Sequence, residues 1–240
     1  EQRDHSPFAQ VAIRLSEALN FLYRGKLDAC VATVREGLRI SGTKGMNIFD
    51  YFLYGHGAVC SLTSGDLDGA ERFLKKAASA MDERRRFCAS YYHHIEACHR
   101  LLNKDLPGAL EHEKLSLDLA MDMGSPFAEA MSRAGLALVR FELGERLKGF
   151  EEAARARALA MRTGSKLVVF VASVFEAWFS LESGKRRAAA DKLKEAFSLG
   201  SRQGFINFHM WRPDIMAELC ALAIEEGIEP DYAKRLIRER

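Results

Sequence analysis

Residues 134–149 read AGLALVRFELGERLKG, and a closely similar pattern returns at residues 174–189 as VFEAWFSLESGKRRAA. Each stretch runs through helix-forming residues to a glycine, Gly144 or Gly184, and a second helix-forming segment follows directly. Glycine readily takes the left-handed backbone conformation that ends a helix. The pattern therefore predicts two helices joined by a tight turn.

This turn recurs along the chain. It begins at residues 25, 65, 104, 144 and 184, so the successive spacings are 40, 39, 40 and 40 residues. Glycines at 124, 164 and 204 form a second series with the same spacing, about half a repeat away. The chain is predicted to be one domain of helix pairs. We place the repeats at residues 8–43, 46–82, 83–124, 126–164 and 165–204, followed by a degenerate terminal unit at 205–240.

Aligning the five turns shows that certain positions are always small. Seven residues before the turn stand Ala18, Ala58, Ala97, Ala137 and Ala177, and five residues after it stand Cys30, Ala70, Ala109, Gly149 and Ala189. Twelve residues after the turn stand Gly37, Ala77, Ser116, Ala156 and Ala196. A fourth column, three residues before the turn, is large and apolar: Leu22, Leu62, Leu101, Phe141 and Leu181. Small residues let paired helices approach closely, and the large ones fill the space between neighbouring pairs.

The three small columns resemble those of the tetratricopeptide repeat, over roughly residues 8–204. The period of about 40 residues is longer than the usual ~34 of that motif, and the aromatic and proline positions of its consensus are mostly unfilled. Longer helices would account for the extra residues. The resemblance implies an all-α fold, a right-handed superhelix of antiparallel helix pairs whose first helices line a concave face.

The C-terminal stretch carries a second resemblance. Residues 211–240, WRPDIMAELCALAIEEGIEPDYAKRLIRER, resemble the end of the helical-repeat region in MalT-type transcription regulators, which are large ATP-dependent bacterial activators, and in relatives with a bacterial transcriptional activator domain. The matching residues are Trp211, Arg212, Pro213, Leu219, Cys220, Ala221, Gly227, Ile228, Glu229, Tyr232, Leu236, Ile237, Arg238 and Arg240. The resemblance implies a repeat region that senses an inducer or partner and is flanked by ATPase and DNA-binding modules. The sequence also predicts a helix over 205–226, with a boundary or kink at Pro213, and a short helix over 230–240.

The composition excludes several classes of protein. The formal net charge is only +2, so we expect no direct nucleic-acid binding by this segment. No apolar stretch reaches the ~20 residues of a membrane helix, and the five cysteines contain no CxxC pair. A cytoplasmic protein without a disulfide framework is expected.

Candidate catalytic and metal-binding patterns are weak. The stretch GLRISGTK at 37–44 imitates a phosphate loop, but Lys44 follows Thr43, which is the wrong order. His94 and Cys98 are four residues apart on one helix face and are the best metal candidates, yet no further ligand pair stands at a recognisable spacing. We therefore expect no metal, no cofactor and no enzymatic activity.

Two charged runs stay open to two interpretations. The run Asp82-Glu83-Arg84-Arg85-Arg86 is either a solvated loop and helix start or a patch for docking a domain or a phosphate. The basic residues Lys234, Arg235, Arg238 and Arg240 fit either a domain junction or a nucleic-acid contact.

The concave face is the predicted binding site. In the tetratricopeptide pattern, side chains thirteen, ten and six residues before the turn point into the groove. Candidate groove residues are Tyr91, His94, Cys98, Met131, Leu138, Val171, Val174 and Trp178. This apolar wall with one histidine suits a peptide, an amphipathic helix or a small-molecule inducer, unless tight curling makes these residues core.

The first hypothesis for the function is a non-enzymatic sensor and protein-interaction segment of a larger transcription regulator, contacting its ATPase or DNA-binding domains. The alternative is a free-standing scaffold adaptor that binds a partner peptide.

Overall fold

The computed structural model describes residues 6–81 and 84–240. Within these ranges it contains twelve α-helices, one 3-10 turn at Asn47–Phe49 and no β-strand. The helices are α1 Pro7–Tyr23, α2 Leu27–Lys44, α3 Asp50–Ser64, α4 Leu67–Ala80, α5 Arg86–Leu102, α6 Leu106–Asp122, α7 Pro126–Glu142, α8 Arg146–Thr163, α9 Lys166–Glu182, α10 Arg186–Gln203, α11 Pro213–Glu225 and α12 Pro230–Glu239. The predicted all-α array of helix pairs is confirmed.

The turns have the backbone that the glycine pattern predicts. Gly25, Gly65, Gly144 and Gly184 all have positive φ angles, between 70° and 83°. Lys104 takes the same conformation, with φ of 64°, at the one turn where glycine is missing. The left-handed conformation disfavours side chains with a Cβ, so the repeat geometry imposes it on Lys104.

The small columns lie where paired helices touch. Ala18, Ala58, Ala97, Ala137 and Ala177 have no exposed surface, and neither do the non-glycine members of the column after the turn, Cys30, Ala70, Ala109 and Ala189. A Cβ added at Gly149 would lie 3.0 Å from the Ala137 carbonyl oxygen, which shows how closely α8 approaches α7.

The array has an inner and an outer layer. Each helix packs on the next one in the chain, and α1, α3, α5, α7 and α9 also pack on one another in order. In the described part of the chain the backbones of the outer helices α2, α4, α6, α8 and α10 do not approach one another, and an ion pair joins Arg157 of α8 to Glu195 of α10. Because the inner helices pack more closely than the outer ones, the array curves toward them and its concave side is the inner layer.

The terminal unit differs from the prediction. Residues 205–212 are not helical, and α11 begins only at Pro213, which occupies the first turn of that helix. Proline has no main-chain N–H and is favoured at a helix start, so it sets this boundary. The predicted helix over 205–226 is therefore wrong in its first eight residues, whereas the short final helix forms as α12.

The non-helical segment 205–212 lies across the concave face. Six of its residues, from Ile206 to Trp211, are buried. The amides of Ile206 and Asn207 donate to the carbonyl oxygen of Tyr23 at 2.8 and 3.2 Å. Asn207 Nδ2 also donates to Thr63 Oγ1 at 3.2 Å. The segment thus ties the end of the array back to the first two repeats.

The same segment also contacts the remaining inner helices. The Phe208 ring packs against Phe170 and Phe175 of α9, with ring centroids 5.8 and 6.1 Å apart. His209 stacks on His94 of α5. A Cβ on Gly135 of α7 would lie 2.9 Å from Met210 Cε. Residues 205–212 therefore reach all five inner helices, and they fill much of the concave face from within.

The two charged runs have different surroundings. Asp82 and Glu83, which include the predicted boundary between the second and third repeats, lie outside the described residues. Arg86, at the start of α5, pairs with Asp122 at the end of α6. Arg240 packs against the rest of the fold. Its guanidinium donates to the Thr63 carbonyl oxygen and lies 5.0 Å from the Trp211 ring centre.

Two expectations about the whole chain can be compared with the structure. All five cysteines lie within the described ranges, where each is buried and none forms a disulfide. Among the described helices, none is both long enough and apolar enough to cross a membrane.

Candidate functional site

A cavity of about 300 Å³ remains on the concave face beside the segment 205–212. It lies between α1, α3, α5 and α7, with His209 as the contribution of the segment. The apolar lining consists of Leu15, Leu19, Phe52, Phe87, Phe127, Ala128 and Met131, and the polar lining of Ser16, Tyr23, His56, Ser90, Tyr91, His94, Ser116, Ser132 and His209. A predominantly apolar wall with a few polar groups is typical of small-molecule sites.

The structure divides the predicted groove residues into three sets. Tyr91, His94 and Met131 line the cavity. Cys98 lies one helical turn after His94, buried and outside the cavity wall. The remaining four, Leu138, Val171, Val174 and Trp178, are buried in the main core and do not line the cavity. The segment 205–212, which packs on α7 and α9, occupies this half of the concave face.

A chain of buried polar groups runs behind the cavity. Glu113 Oε1 lies 2.8 Å from His94 Nδ1. On the other side of the same ring, His94 Nε2 lies 3.1 Å from His209 Nδ1. Glu113 is completely buried, and the two histidines are nearly so. The chain links α6, α5 and the segment 205–212.

Both ends of this chain are unpaired. Within residues 6–81 and 84–240, Glu113 Oε2 and His209 Nε2 are buried and have no hydrogen-bond partner. Buried polar atoms are almost always paired, because leaving one without a partner costs about 1–3 kcal/mol. A water molecule or a ligand bound beside these two atoms would supply the missing partner.

A second polar pair lines the same cavity. His56 Nδ1 of α3 is 2.8 Å from the Tyr91 hydroxyl of α5. The Tyr91 ring also lies 6.2 Å from the His209 ring, and Tyr23 stacks on His209 at 6.1 Å. These contacts gather three histidines and two tyrosines around one apolar space.

The burial of these groups controls their protonation. Burial lowers the pKa of His56 to about 4. It also lowers the pKa of His209 well below the ordinary value, with a further contribution from His94 and His56. The Glu113 pKa is raised by burial, although His94 opposes this shift. Near neutral pH the cavity therefore presents the uncharged imidazoles of His56 and His209, which can donate or accept hydrogen bonds.

Two glycines make room for the polar groups. A Cβ on Gly135 of α7 would overlap the carboxylate of Glu113, lying 2.6 Å from its Cδ. A Cβ on Gly55 of α3 would lie 2.5 Å from Tyr91 Cε1. In both places the absence of a side chain lets a functional group occupy the space between two helices.

Sequence reasoning missed Glu113, although the repeat register contains a signal for it. Nine residues after the turn, the other four repeats carry Val34, Leu74, Ala153 and Leu193, all buried. Glu113 is the single charged residue in that column. A carboxylate at a core position is costly unless it is paired, so the departure marks a site. His209 has no comparable signal, because it lies after the last repeat.

Among the described residues, three side chains are close enough together to offer ligands to one metal ion. His94, Cys98 and Glu113 each offer a ligand atom, and these atoms all lie within 4.8 Å of one another. The sequence offered only the first two residues, and the folding of α6 against α5 brings in the third. The expectation that no metal is bound stays a prediction.

Comparisons with known proteins support the fold. No protein-family model matches the sequence, and no curated protein matches it either. A solved STAND (signal transduction ATPase with numerous domains) protein with a tetratricopeptide-repeat sensor, from Pyrococcus horikoshii, aligns with a TM-score of 0.60 and 18% identity over 97% of this chain. The chain spans only 35% of the length of that protein.

Two further solved structures are similar. PilF of Pseudomonas aeruginosa aligns with a TM-score of 0.52 and 14% identity, covering 96% of this chain and 90% of its own. BtubC from P. vanneervenii aligns with a TM-score of 0.54 and 16% identity, covering 98% and 92%. At such low identity these likenesses establish the tetratricopeptide-like helical-repeat fold and nothing further about activity.

Proposed function

We propose that this chain is a non-enzymatic sensor segment that binds a small molecule in the cavity on its concave face, within a larger signalling protein of the MalT or STAND type. The observation that carries the proposal is the position of residues 205–212. They fill the part of the groove where a peptide would lie, and they leave a space of about 300 Å³ beside them that is partly open to solvent. That volume is at the small end of the range for small-molecule pockets.

The cavity lining defines the kind of inducer expected. Aromatic and aliphatic side chains such as Phe52, Phe87 and Met131 form most of the wall. The polar groups that reach the space include the neutral imidazoles of His56 and His209 and the Tyr91 hydroxyl. A charged group on the ligand would be poorly solvated in such an apolar space. The inducer would be an uncharged aromatic or aliphatic molecule with a small number of hydrogen-bonding groups.

The position of His209 gives the sensor a route to the rest of the protein. His209 contacts the cavity from the segment that leads directly into α11. A ligand that touches His209 would therefore bias the placement of the C-terminal unit, and with it the contacts of neighbouring domains. Two similarities support this assignment: that of residues 211–240 to MalT-type regulators, and that of the fold to the Pyrococcus protein, which has a tetratricopeptide-repeat sensor.

A neutral fluorescent probe tests the cavity directly. N-phenyl-1-naphthylamine is an aromatic amine with one N–H donor, and its emission increases in an apolar site. We expect saturable binding and a higher melting temperature for the wild type, since a ligand that binds only the folded state stabilises it.

The variants decide where the probe binds. Ala128→Trp places a large ring in the cavity wall without removing a polar group, and we expect it to abolish binding. The matched control is Ala154→Trp, on the exposed side of α8, which should bind as the wild type does. Equal binding by wild type and Ala128→Trp would show that the probe uses another surface, and the proposal would be wrong.

A further inference from the structure

We propose that His94, Cys98 and Glu113 bind a divalent transition metal ion of the zinc class, and that His209 orients His94 for this purpose. This proposal goes beyond the sensor proposal and can fail separately from it, because Cys98 and Glu113 lie outside the cavity lining and only His94 of the three ligands borders the cavity. It rests on the geometry of the cluster, on its unpaired atoms and on its charge.

The three ligand atoms are already close to the spacing that a metal requires. They lie within 4.8 Å of one another. Zinc binds nitrogen, oxygen and sulfur at about 2.0–2.3 Å, so ligand atoms in a tetrahedral site stand about 3.3–3.8 Å apart. Side-chain movements of about 1 Å would close the site. His94 and Cys98 are fixed one turn apart on α5, and Glu113 is held opposite them on α6.

His209 occupies the place of an orienting partner. His94 Nδ1 faces Glu113, and this nitrogen would bind the metal. The other nitrogen, Nε2, would then carry the proton and donate a hydrogen bond to His209 Nδ1, 3.1 Å away. A metal-binding histidine usually donates its second N–H to such an acceptor, which fixes both the tautomer and the ring orientation.

Cys98 has a partner that suits a thiolate. The main-chain amide of Met210 hydrogen-bonds to the Cys98 sulfur and acts to lower its pKa, although burial raises this pKa to a larger extent. A coordinated thiol loses its proton, and the Met210 amide would then donate its hydrogen bond to the thiolate. Met210 and His209 are neighbours in the chain, so the segment 205–212 makes hydrogen bonds to two of the three proposed ligands.

The charge of the cluster favours a divalent ion. A thiolate from Cys98 and a carboxylate from Glu113 balance two positive charges, and His94 contributes a neutral ligand. The ion would also satisfy the buried carboxylate, whose Oε2 is unpaired among the described residues. Binding would release the thiol proton of Cys98 to the solvent. Thiolate and imidazole donors select zinc, cobalt or copper over magnesium and calcium.

Three protein ligands leave one position of a tetrahedral ion free. His94 lines the cavity, whereas Cys98 and Glu113 do not. The free position would be taken by water or by a small molecule in the cavity, as in zinc sites with an open coordination position.

The first test is titration of the reduced 240-residue chain with Co²⁺, because the absorption spectrum of bound Co²⁺ depends on the atoms that coordinate it. We expect about one ion per chain, with a thiolate-to-cobalt charge-transfer band in the near ultraviolet. Cys98→Ser should lose this band. Cys88→Ser, at another buried position of α5, is the matched control and should keep it. A wild type without the band, or a band that survives in Cys98→Ser, would overturn the proposal.

The second test measures Zn²⁺ affinity by competition with a chromophoric chelator. Glu113→Gln should bind more weakly, and His209→Phe, which keeps a ring but loses the acceptor, should bind about 10–100-fold more weakly. Titration of the wild type with zinc in weak buffer should release protons, because the coordinated Cys98 thiol loses its own. Unchanged affinity in His209→Phe would refute the orienting role, and an absence of proton release would refute the ligand set.

The metal site and the small-molecule site can fail separately. Cys98→Ser should still bind N-phenyl-1-naphthylamine, since Cys98 does not line the cavity. Ala128→Trp should still bind Co²⁺ with the thiolate band. If either variant lost the binding of both Co²⁺ and N-phenyl-1-naphthylamine, the two sites would not be separate. Circular dichroism of each variant establishes that it is folded.

Discussion

Gly135 and Glu113 occupy one space between α7 and α6. A Cβ on Gly135 would overlap the Glu113 carboxylate, and it would also lie 2.9 Å from Met210 Cε. The backbone of the fourth repeat thus determines whether a carboxylate of the third repeat can reach His94. A glycine inside a helix, which is otherwise unfavourable, is what admits the buried charged group.

Gly135→Ala is therefore expected to destabilise the protein. The added methyl must displace Glu113 from its 2.8 Å contact with His94, so the free energy of unfolding should fall by about 1–3 kcal/mol. Gly42→Ala is the matched control, since Gly42 is also helical and has open space around its Cα. It should be neutral or slightly stabilising in urea titrations. A Gly135→Ala variant as stable as the control would contradict the packing described for Glu113.

Ala137→Leu tests the column of small residues seven positions before the turn. Ala137 is completely buried, and its carbonyl oxygen would be 3.0 Å from a Cβ on Gly149. A leucine there should overpack the contact between α7 and α8 and cost about 1–3 kcal/mol, while the variant stays helical. Thermal melting followed by circular dichroism measures this, with Ala154→Leu on the exposed side of α8 as the control. An unchanged melting temperature for Ala137→Leu would count against the register.

Trp178→Ala tests whether this residue belongs to the core or to a binding surface. Only 9% of Trp178 is exposed, and it belongs to the main core cluster. Truncation of a buried tryptophan typically costs about 3–5 kcal/mol, and we expect a loss of this size in urea titration. In Trp211→Phe, the remaining emission from Trp178 should be blue-shifted and resistant to acrylamide. A small loss of stability with a readily quenched emission would return Trp178 to the groove.

Phe208→Ala tests the segment that crosses the concave face. The Phe208 ring is buried against Phe170 and Phe175, so its removal should leave a cavity and cost about 3–5 kcal/mol. Leu147→Ala is the control, because Leu147 is 74% exposed and should change stability by less than about 0.5 kcal/mol. Equal stabilities of the two variants would mean that residues 205–212 are not held in the groove.

The stability should depend on pH through His56. Its pKa falls from 6.5 to about 4 on folding because the ring is buried, so the unfolded chain binds a proton more readily than the folded one between these values. The free energy of unfolding is therefore highest above pH 6.5 and falls as the pH drops toward 4, by on the order of 3 kcal/mol from this group.

His209, whose pKa is also lowered, contributes to the same loss, whereas Glu113, whose pKa is raised, acts in the opposite direction. Urea titrations at several pH values between 7 and 4 measure the sum. His56→Phe should show a shallower decline than the wild type. Identical slopes would refute the assignment to His56.

The repeat architecture could be predicted from the sequence because it depends on local and periodic features. Glycine turns end helices wherever they occur, and small residues at a fixed distance from each turn make each helix pair close in the same way. Even the exception at Lys104 follows from the register, since the repeat imposes the left-handed backbone that glycine provides elsewhere. The same periodicity assigns Tyr91, His94 and Met131 to the concave face, and in the structure they line the cavity there.

The composition of the site was decided by the tertiary structure. Residues 205–212 carry no repeat pattern, yet they bring His209 to within 3.1 Å of His94, which lies 115 residues earlier in the chain. They also cover the half of the concave face that Leu138, Val174 and Trp178 would otherwise line. A non-periodic segment can be placed only by the sum of its long-range contacts, among them the hydrogen bonds to Tyr23 and Thr63. The sequence by itself therefore determined the array of helices and its inner face, whereas only the packing of the chain onto that face decided what space remains there and which polar groups meet.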